Sequence, residues 1–276
     1  MSETGIKKFM RDMPLPFCPG CGDVTVMSSF LRAVQELGYD NLSKFVFCSG
    51  IGCAAWIPSP HFIADTIHTT HGRSIPVATG VKLVRPDLNV VVFGGDGDLT
   101  GIGLSHLIHA ARRNVDLTVI MVNNMIYGMT GGQVAPTTPL KAKTTTTPYG
   151  SYERPIDATR LVVTAGASYA ARWTTAHAEQ LREAIKNGLK TKGFAFIEAV
   201  SHCPTAFGRR FGLRSIVNIL DWLKENSVPL ENAAKMSEKD LEGRIIVGEF
   251  VHRTLPTYIE NVYAVMREAK KSVKTG

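Results

Sequence analysis

The sequence contains no run of about 18 unbroken apolar residues, which is the length that a helix needs to cross a lipid bilayer. Its first residues carry charge but lack the apolar segment of a secretory signal. Its five cysteines are an odd number in 276 residues, which argues against the paired disulfides of secreted proteins and leaves metal and redox roles open. These absences predict a cytoplasmic protein with no membrane partner.

Basic residues exceed acidic ones by a net charge of +7, but they are scattered and form no basic stripe interleaved with aromatic side chains. Such a pattern gives little support to nucleic-acid binding, and we expect no nucleic-acid partner. The excess charge either serves solubility or favours an acidic protein partner or a phosphorylated ligand.

Four uniformly apolar runs predict strands that are covered on both faces, because strands with one exposed face alternate in polarity. They span residues 44–48, 89–95, 117–124 and 194–200. Helical patterns at 25–37, 101–113 and 177–189 precede the first, third and fourth of these runs. The alternation predicts an α/β protein with a doubly wound, mainly parallel sheet over residues 1–204.

The less regular residues 205–276 are predicted to form a C-terminal helical extension. An amphipathic helix at 215–226 would place Ile216, Ile219, Leu220 and Leu223 on one face. We expect this extension to pack on the core or on a partner subunit.

A glycine–aspartate turn, GGDGD at residues 94–98, follows the second predicted strand and leads into a helix. Such a turn presents backbone N–H groups to a phosphate at the carboxyl end of a strand. The turn lacks the lysine of a P-loop and the glycine order of a dinucleotide site. Because a carboxylate beside a phosphate is repulsive unless a cation lies between them, Asp96 predicts Mg²⁺ or Ca²⁺ bridging to a diphosphate. The alternative is a plain turn with exposed acids.

The next predicted strand ends at Asn123-Asn124, and Asn124 lies 28 positions after Asp96 (124 − 96). That spacing is one strand–helix–strand crossover, so both residues should emerge at the same edge of the sheet. A carboxylate, an amide oxygen and a backbone carbonyl could share one cation there.

The pair Cys18-x-x-Cys21 alone fits zinc, an iron–sulfur cluster or a redox dithiol. The other cysteines are the single residues Cys48, Cys53 and Cys203, whereas a zinc ribbon would supply a second close pair. A redox dithiol should follow a strand, but MPLPF precedes this pair. Four thiolates from separate loops suit a [4Fe–4S] cluster. Cys48 continues an apolar strand and is expected to be an inert buried thiol, while Cys53 lies in a glycine-containing loop.

Together these residues resemble the β subunit of the 2-oxoacid:ferredoxin oxidoreductases. The matching segments, in order within residues 18 to about 204, are CPGCG, SGIGC, HTTHGR, GGDGDLTGIG, NNMIYGMTGGQ with PTTP, and CP after the last strand. The resemblance implies a thiamine diphosphate-binding fold and the following metal ligands. A [4Fe–4S] cluster is held by Cys18, Cys21, Cys53 and Cys203, and Mg²⁺ by Asp96, Asn124 and the carbonyl of Ile126.

The resemblance also assigns cofactor and catalytic positions. The cofactor-binding residues are Gly52, Cys53, His71, Gly95, Gly97, Asp98, Gly128, Met129 and Thr130. His71 and Arg73 are placed near the cofactor and the substrate carboxylate as catalytic residues. Without the resemblance, a histidine pair three residues apart, such as His68 and His71, is more often structural than metal-binding.

The implied reaction is the CoA-dependent oxidative decarboxylation of a 2-oxoacid to acyl-CoA and CO₂, with electrons passing through the cluster to ferredoxin. MTGGQVAPTTP and ARWTT look most like members that use 2-oxoglutarate, which we rank first. Trp56 leaves room for a branched or aryl side chain, so pyruvate and a branched-chain 2-oxoacid stay alternatives. The glutamate that activates the cofactor comes from another subunit in this family. We therefore expect an α subunit as partner, with γ and δ subunits as further candidates.

Two rival functions fit part of the pattern. A non-redox thiamine-dependent decarboxylase or synthase would share Asp96 and Asn124 but has no use for four separated thiols. A zinc-binding interaction module would keep the cysteines but leaves the Asp–Asn spacing unexplained.

Overall fold

The structure, a computed structural model, describes residues 4–213 and 215–274. Within these residues the strands are β1 Phe45–Ser49, β2 Asp65–His68, β3 Asn89–Gly95, β4 Thr118–Asn123, β5 Tyr169–Thr174, β6 Ala195–Val200, β7 Ser227–Pro229 and β8 Ile245–His252. The α-helices of the same residues are α1 Thr4–Lys7, α2 Gly22–Glu36, α3 Ser74–Val84, α4 Leu104–Arg112, α5 Ala158–Ala165, α6 Ala178–Lys190, α7 Ile216–Glu225, α8 Leu230–Ala233, α9 Glu238–Leu241 and α10 Tyr258–Lys274. None of the described helices is long and apolar enough to span a membrane.

The strands form one sheet in the order β2-β1-β3-β4-β6-β5-β8-β7. The first six in this order run parallel, β8 is antiparallel to β5, and β7 is parallel to β8. The doubly wound, mainly parallel sheet predicted from the sequence is therefore confirmed. The carboxyl ends of β1, β2, β3, β4 and β6 meet at one edge, where ligands of open α/β sheets bind.

Alternate residues of the central strands enter two separate hydrophobic clusters, one on each face of the sheet. Val91 and Phe93 of β3 join Phe30 of α2 in the first cluster, which α6 also covers. Val90 and Val92 join residues of α3, α4 and α5 in the second. Both faces are thus buried, which explains why the predicted strands are apolar throughout.

The four predicted strands correspond to β1, β3, β4 and β6, but the sequence analysis missed β2 and β5. The strand β2, DTIH, is an edge strand with exposed residues, and β5, YAARWT, contains a buried arginine, so neither reads as an apolar run. The expectation that a helix separates all successive strands was wrong between β1 and β2, because the 3₁₀ helix Cys53–Trp56 and a loop connect them.

The segment 205–276 supplies strands as well as helices. Its strand β8 extends the sheet beside β5. In α7, Ile219 and Leu223 are buried and Leu220 is half-buried, whereas Ile216 is exposed, so the predicted apolar face is only partly covered. The division of the chain at residue 204 stays a prediction.

Candidate active site

Asp96 follows β3 directly, and its carboxylate is buried at the carboxyl edge of the sheet. The hydroxyl of Thr137 donates to its Oδ2, and the backbone N–H groups of Gly97 and Asn124 also donate to it. Burial raises the pKa of Asp96 to about 7, and these hydrogen bonds offset only part of that effect. A buried carboxylate next to an asparagine is a donor set that suits Mg²⁺, whose charge would offset the cost of burying the carboxylate.

The turn after β4 brings Asn124 to Asp96. Met125 adopts a left-handed conformation with φ of 64°, and its N–H donates to the side chain of Asn123 at 3.0 Å. The N–H of Ile126 donates to Asn124 Oδ1 at 3.2 Å, and Thr138 donates to the carbonyl of Met125 at 2.7 Å. Side chains of the turn and of Thr138 therefore fix its shape. The turn places Asn124 and Ile126 at the same edge of the sheet as Asp96.

A buried polar network behind this turn holds Asn123. Its side-chain amide donates to Glu198 Oε1 at 2.8 Å, and Glu198 also accepts from Arg172 Nε at 2.8 Å and from Thr159 at 2.5 Å. Arg172 donates further to Asp157. The sequence analysis missed this network, although a glutamate inside the apolar run FAFIEAV was a signal for it.

Gly97 and Tyr127 pack against each other above Asp96. The Tyr127 hydroxyl donates to the carbonyl of Gly97 at 3.1 Å, and a β-carbon on Gly97 would lie 2.2 Å from the tyrosine ring. Only glycine fits at this position. Gly95, at the end of β3, pairs with Val122 and so connects the two strand ends.

His71 and Arg73 lie in the loop after β2. The ring of His71 is half-buried, with its centroid 6.1 Å from that of Tyr127. The guanidinium of Arg73 donates to the carbonyls of Gly72 and Ile102, at 3.3 and 3.2 Å. His71 therefore lies beside Tyr127 at the predicted site. Arg73 instead donates hydrogen bonds to the backbone of two neighbouring loops.

The four cysteines that the resemblance assigns as cluster ligands lie together. The hydroxyl of Thr205 is 3.6 Å from Cys18 Sγ and 3.9 Å from Cys203 Sγ. Burial raises the pKa of Cys53 to about 12, and the negative charges of nearby groups, including the Cys203 and Cys18 thiolates, contribute to this rise. Burial likewise raises the pKa of Cys21, and Cys203 and Cys53 are again among its charged neighbours.

Close backbone contacts bring these thiols together. The N–H of Gly22 donates to the carbonyl of His202 at 3.0 Å, and a β-carbon on Gly22 would lie 2.3 Å from Ser201 Oγ. The start of α2 therefore rests on the segment that precedes Cys203. Gly52, with φ of 125°, provides the backbone conformation that leads to Cys53.

Cys48 takes no part in this group. It is fully buried in β1 within the cluster that faces α3, and burial alone raises its pKa to about 12. Its environment is that of an inert apolar thiol.

The turn that contains Asn124 and the thiol group adjoin at Gly128. A β-carbon on Gly128 would lie 4.0 Å from Asn124 Nδ2 and 4.0 Å from Cys203 Sγ. The following residues of the predicted cofactor loop, Met129 and Thr130, are exposed, and the Thr130 hydroxyl donates to Gln133 at 2.6 Å. Two chemically different sites therefore border the same residue.

Comparison with known proteins agrees with this arrangement. Residues 50–199 match the family described as thiamine pyrophosphate enzyme, C-terminal TPP binding domain. The chain is 51% identical to the 2-oxoglutarate synthase subunit KorB of Methanocaldococcus jannaschii, over 95% of this chain and 97% of that protein. It is 37% identical to a 2-oxoacid:ferredoxin oxidoreductase subunit beta of Sulfolobus, over 90% and 85% of the two chains.

The chain belongs to the β subunits of the 2-oxoacid:ferredoxin oxidoreductases. A solved structure supports the same assignment. It is the 2-oxoglutarate:ferredoxin oxidoreductase from Magnetococcus marinus with 2-oxoglutarate, coenzyme A and succinyl-CoA bound. Its similar chain has a TM-score of 0.85 and 33% identity, and the match covers 98% of this chain and 92% of that one.

Across residues 4–213 and 215–274, no group of three or more His, Cys, Asp and Glu side chains is close enough together to hold a single metal ion. A zinc ion needs its sulfur ligands at about 2.3 Å, whereas a [4Fe–4S] cluster distributes four thiolates over separate iron atoms.

Asp23 is an acidic residue of the thiol site that the sequence analysis missed. Its side chain is buried, Ser201 Oγ lies 3.4 Å from its Oδ1, and its charge contributes to the raised pKa of Cys21 and Cys53. Burial raises the pKa of Asp23 itself to about 6. Its position in the sequence, two residues after Cys21 at the start of an apolar helix, was the available signal.

Trp56 and His68 lie on the outer side of the same sheet edge. Trp56 is 41% exposed, and its ring centroid is 6.1 Å from that of His68. His68 Nδ1 is 3.1 Å from the hydroxyl of Ser49. The indole therefore presents an accessible aromatic face near the end of β2.

Proposed function

We propose that this β subunit holds thiamine diphosphate through Mg²⁺ at Asp96, Asn124 and the Ile126 carbonyl, and a [4Fe–4S] cluster at Cys18, Cys21, Cys53 and Cys203. In this proposal it serves the CoA-dependent oxidative decarboxylation of a 2-oxoacid, with 2-oxoglutarate favoured and ferredoxin as electron acceptor. The observation that carries the proposal is the position of Gly128 between Asn124 and Cys203.

This proximity matters because the reaction must deliver electrons one at a time. Bound thiamine diphosphate supplies the electron sink for decarboxylation, and the cluster supplies a one-electron acceptor. A decarboxylase without redox chemistry would have no need for four thiols beside its diphosphate site. The adjoining sites therefore favour the redox enzyme over that rival.

The carboxyl ends of β3 and β4, with Asp96 and Asn124, are called the diphosphate edge below. Its residues have separate tasks in this proposal. Asp96 and Asn124 hold the cation, and Thr137 and the Asn124 N–H fix the orientation of the Asp96 carboxylate. Tyr127 packs on Gly97 and donates a hydrogen bond to its carbonyl, which holds the turn in place. His71, half-buried next to Tyr127, is placed to exchange a proton or a hydrogen bond with the reacting groups.

Cys18 gives the thiol site its connection to the surface. It is exposed, whereas Cys203 is buried and Cys21 and Cys53 are half-buried. Electrons would therefore leave on the Cys18 side. The net charge of +7 would favour the approach of an acidic ferredoxin.

The relatives favour 2-oxoglutarate as substrate. The KorB relatives are named 2-oxoglutarate synthase subunits, and the Magnetococcus marinus structure contains 2-oxoglutarate and coenzyme A. Trp56 remains the residue that would accommodate a branched side chain, with pyruvate or a branched-chain 2-oxoacid as the alternative substrate.

An α subunit would complete the site by supplying the glutamate that activates the cofactor, with γ and δ subunits as further candidates. Apolar side chains near this edge are exposed in the chain, among them Ile102 at 55% and Met129 at 51%. The loop at 128–133 and α7 are the candidate contact surfaces for these subunits. Partner subunits would cover such surfaces.

The test is metal analysis and turnover of the complex purified without oxygen. We expect about four iron atoms and about four sulfides per β chain, with little zinc, by the stoichiometry of one [4Fe–4S] cluster. The complex should reduce a viologen dye when both 2-oxoglutarate and CoA are present, and the isolated β chain should not. Zinc in place of iron, or full turnover by the isolated chain, would refute the proposal.

A further inference from the structure

Asp98 connects three loops at the carboxyl edge of the sheet. Its side chain is only 1% exposed. Its Oδ1 accepts a hydrogen bond from the N–H of Gly72 at 2.7 Å and another from the N–H of Ile51 at 3.3 Å. Nδ1 of His71 lies 3.4 Å from the same oxygen. One carboxylate oxygen therefore contacts both neighbouring loops.

The loops are shaped for this close approach. A β-carbon on Gly50 would lie 2.1 Å from Asp98 Oδ2, so any larger residue would displace the carboxylate. Gly72 has φ of 70°, and a β-carbon there would lie 2.7 Å from the N–H nitrogen of Gly103. Glycine is thus required at both positions where the loops meet the segment of Asp98.

Each loop carries a residue of the proposed site. The loop after β1 runs through Ile51 to Cys53, the loop after β2 contains His71, and Asp98 itself follows Asp96 by two positions. Its Oδ1 is directed at the two loops, while its Oδ2 lies against Gly50 and has no hydrogen-bond partner among the described residues.

We propose that Asp98 is a positioning residue that fixes His71 and the loop of Cys53 relative to the diphosphate edge. This inference rests on the proposed function. A proton on His71 Nδ1 faces the carboxylate, which leaves Nε2 as the ring nitrogen available to substrate or cofactor. Contacts of this kind are often long in the absence of ligand, so 3.4 Å is compatible with the role.

Hydrogen–deuterium exchange of the full chain, followed by mass spectrometry, tests whether Asp98 holds the two loops, and it requires no activity measurement. In Asp98→Ala, exchange should rise in the peptides that contain Ile51 and Gly72, because their N–H groups lose an acceptor. Asp98→Asn keeps an oxygen at Oδ1 and should retain protection. Unchanged exchange in Asp98→Ala, or a general rise across the sheet, would overturn the inference.

Turnover of the assembled complex tests the consequence for His71. Asp98→Ala should lower kcat about a hundredfold, as misplaced catalytic groups do, and the loss in the double variant Asp98→Ala/His71→Ala should be smaller than the product of the two single losses. Asp98→Asn should recover most of the activity. Additive losses in the double variant would show that Asp98 does not act through His71.

Asp116→Ala is the matched control. Asp116 also accepts a backbone N–H, that of Gly193 at 2.9 Å, and pairs with Lys82, but it lies outside the site. Loss of the Asp116 carboxylate should leave kcat unchanged even if it lowers the melting temperature.

Should Asp98→Ala fail to fold, Gly50→Ala is the second variant, because its β-carbon displaces the Asp98 carboxylate. It must raise the exchange rates of the Ile51 and Gly72 peptides for the inference to stand. If the wild-type complex shows no turnover, the proposed function fails, while the exchange result still decides whether Asp98 holds the two loops.

Discussion

The diphosphate edge and the thiol site adjoin at Gly128, yet they are built in different ways. At the diphosphate edge, Thr137 and the Asn124 N–H donate buried hydrogen bonds to Asp96, and the Asn123 amide donates to Glu198. At the thiol site, the contacts of the Cys18 and Cys203 sulfurs within the described part of the chain are those with Thr205, at 3.6 and 3.9 Å, and one from the N–H of Ala206 to Cys203 at 3.4 Å.

The difference indicates where each site obtains its order. The diphosphate edge is preorganised by the protein, as a site that must orient a reacting group should be. In the proposed function, the thiol site would bring four ligands near each other and leave the final geometry to the metal, as metal sites coupled to folding do. Substitutions should therefore have an all-or-none effect at the thiol site and graded effects at the diphosphate edge.

The largest effect is expected for the cluster cysteines. Replacing Cys18, Cys21, Cys53 or Cys203 by Ser should remove most of the iron from the chain, because each supplies one of four ligands. Cys48→Ser is the matched control and should keep full iron content, since Cys48 lies in the opposite hydrophobic cluster. Iron and sulfide analysis checks this. A Cys48 variant without iron, together with an iron-loaded Cys53 variant, would reverse the ligand assignment.

The next largest effect is expected for Asp96. Asp96→Ala should weaken Mg²⁺-dependent binding of thiamine diphosphate by about a hundredfold or more, because a charged metal ligand is lost. Iron content should stay normal. Calorimetric titration of the assembled complex measures the affinity, and Asp87→Ala, an exposed carboxylate paired with Arg85, is the control. Wild-type affinity in the Asp96 variant would remove the metal site from the account.

A smaller effect is expected for Asn123, which touches no ligand in this account. Asn123→Ala leaves the N–H of Met125 and one oxygen of Glu198 without their partners, which costs about 1–3 kcal/mol of stability. We expect cofactor affinity to fall about tenfold as Asn124 loses its fixed turn. Thermal unfolding measures the loss of stability, and calorimetric titration measures the loss of cofactor affinity. A loss of stability with unchanged affinity would show that the network is structural only.

The smallest effect is expected for Thr137. Thr137→Val removes the hydroxyl that donates to Asp96 while keeping the shape of the side chain. Such a bond to a charged group contributes about 1.5–3 kcal/mol, but because it forms with and without Mg²⁺, only a fraction of that energy counts toward Mg²⁺ affinity. Mg²⁺ affinity should therefore fall by about tenfold or less. Thr79→Val, which removes a bond within α3, should leave affinity unchanged. A complete loss of binding in Thr137→Val would mean that Asp96 is not preorganised in the way described.

The sequence analysis could predict that Asp96 and Asn124 lie close together, because this depends only on their positions at the ends of strands. Asp96 and Asn124 meet because each follows a strand of a parallel sheet, and that rule needs no knowledge of packing. The central strands were equally clear, since both of their faces are apolar.

The remaining parts depend on pairings that periodicity does not reveal. Asn123 and Glu198 are 75 residues apart, and Ser201 and Asp23 are 178 apart. An isolated acid in an apolar run shows that a partner exists but does not name it. The resemblance predicted Asp98 as a cofactor residue, and the contacts with Gly50 and Gly72 in the structure reveal where its carboxylate points.

The most direct test of the account is whether the two sites exchange electrons within the assembled complex. The complex, kept free of oxygen and of ferredoxin, is mixed with 2-oxoglutarate and CoA while the cluster is followed by electron paramagnetic resonance. The account predicts that the cluster becomes reduced in the wild-type complex and stays oxidised in Asp96→Ala, whose iron content is normal. Reduction in the Asp96 variant, or an oxidised cluster in the wild-type complex under turnover conditions, would contradict it.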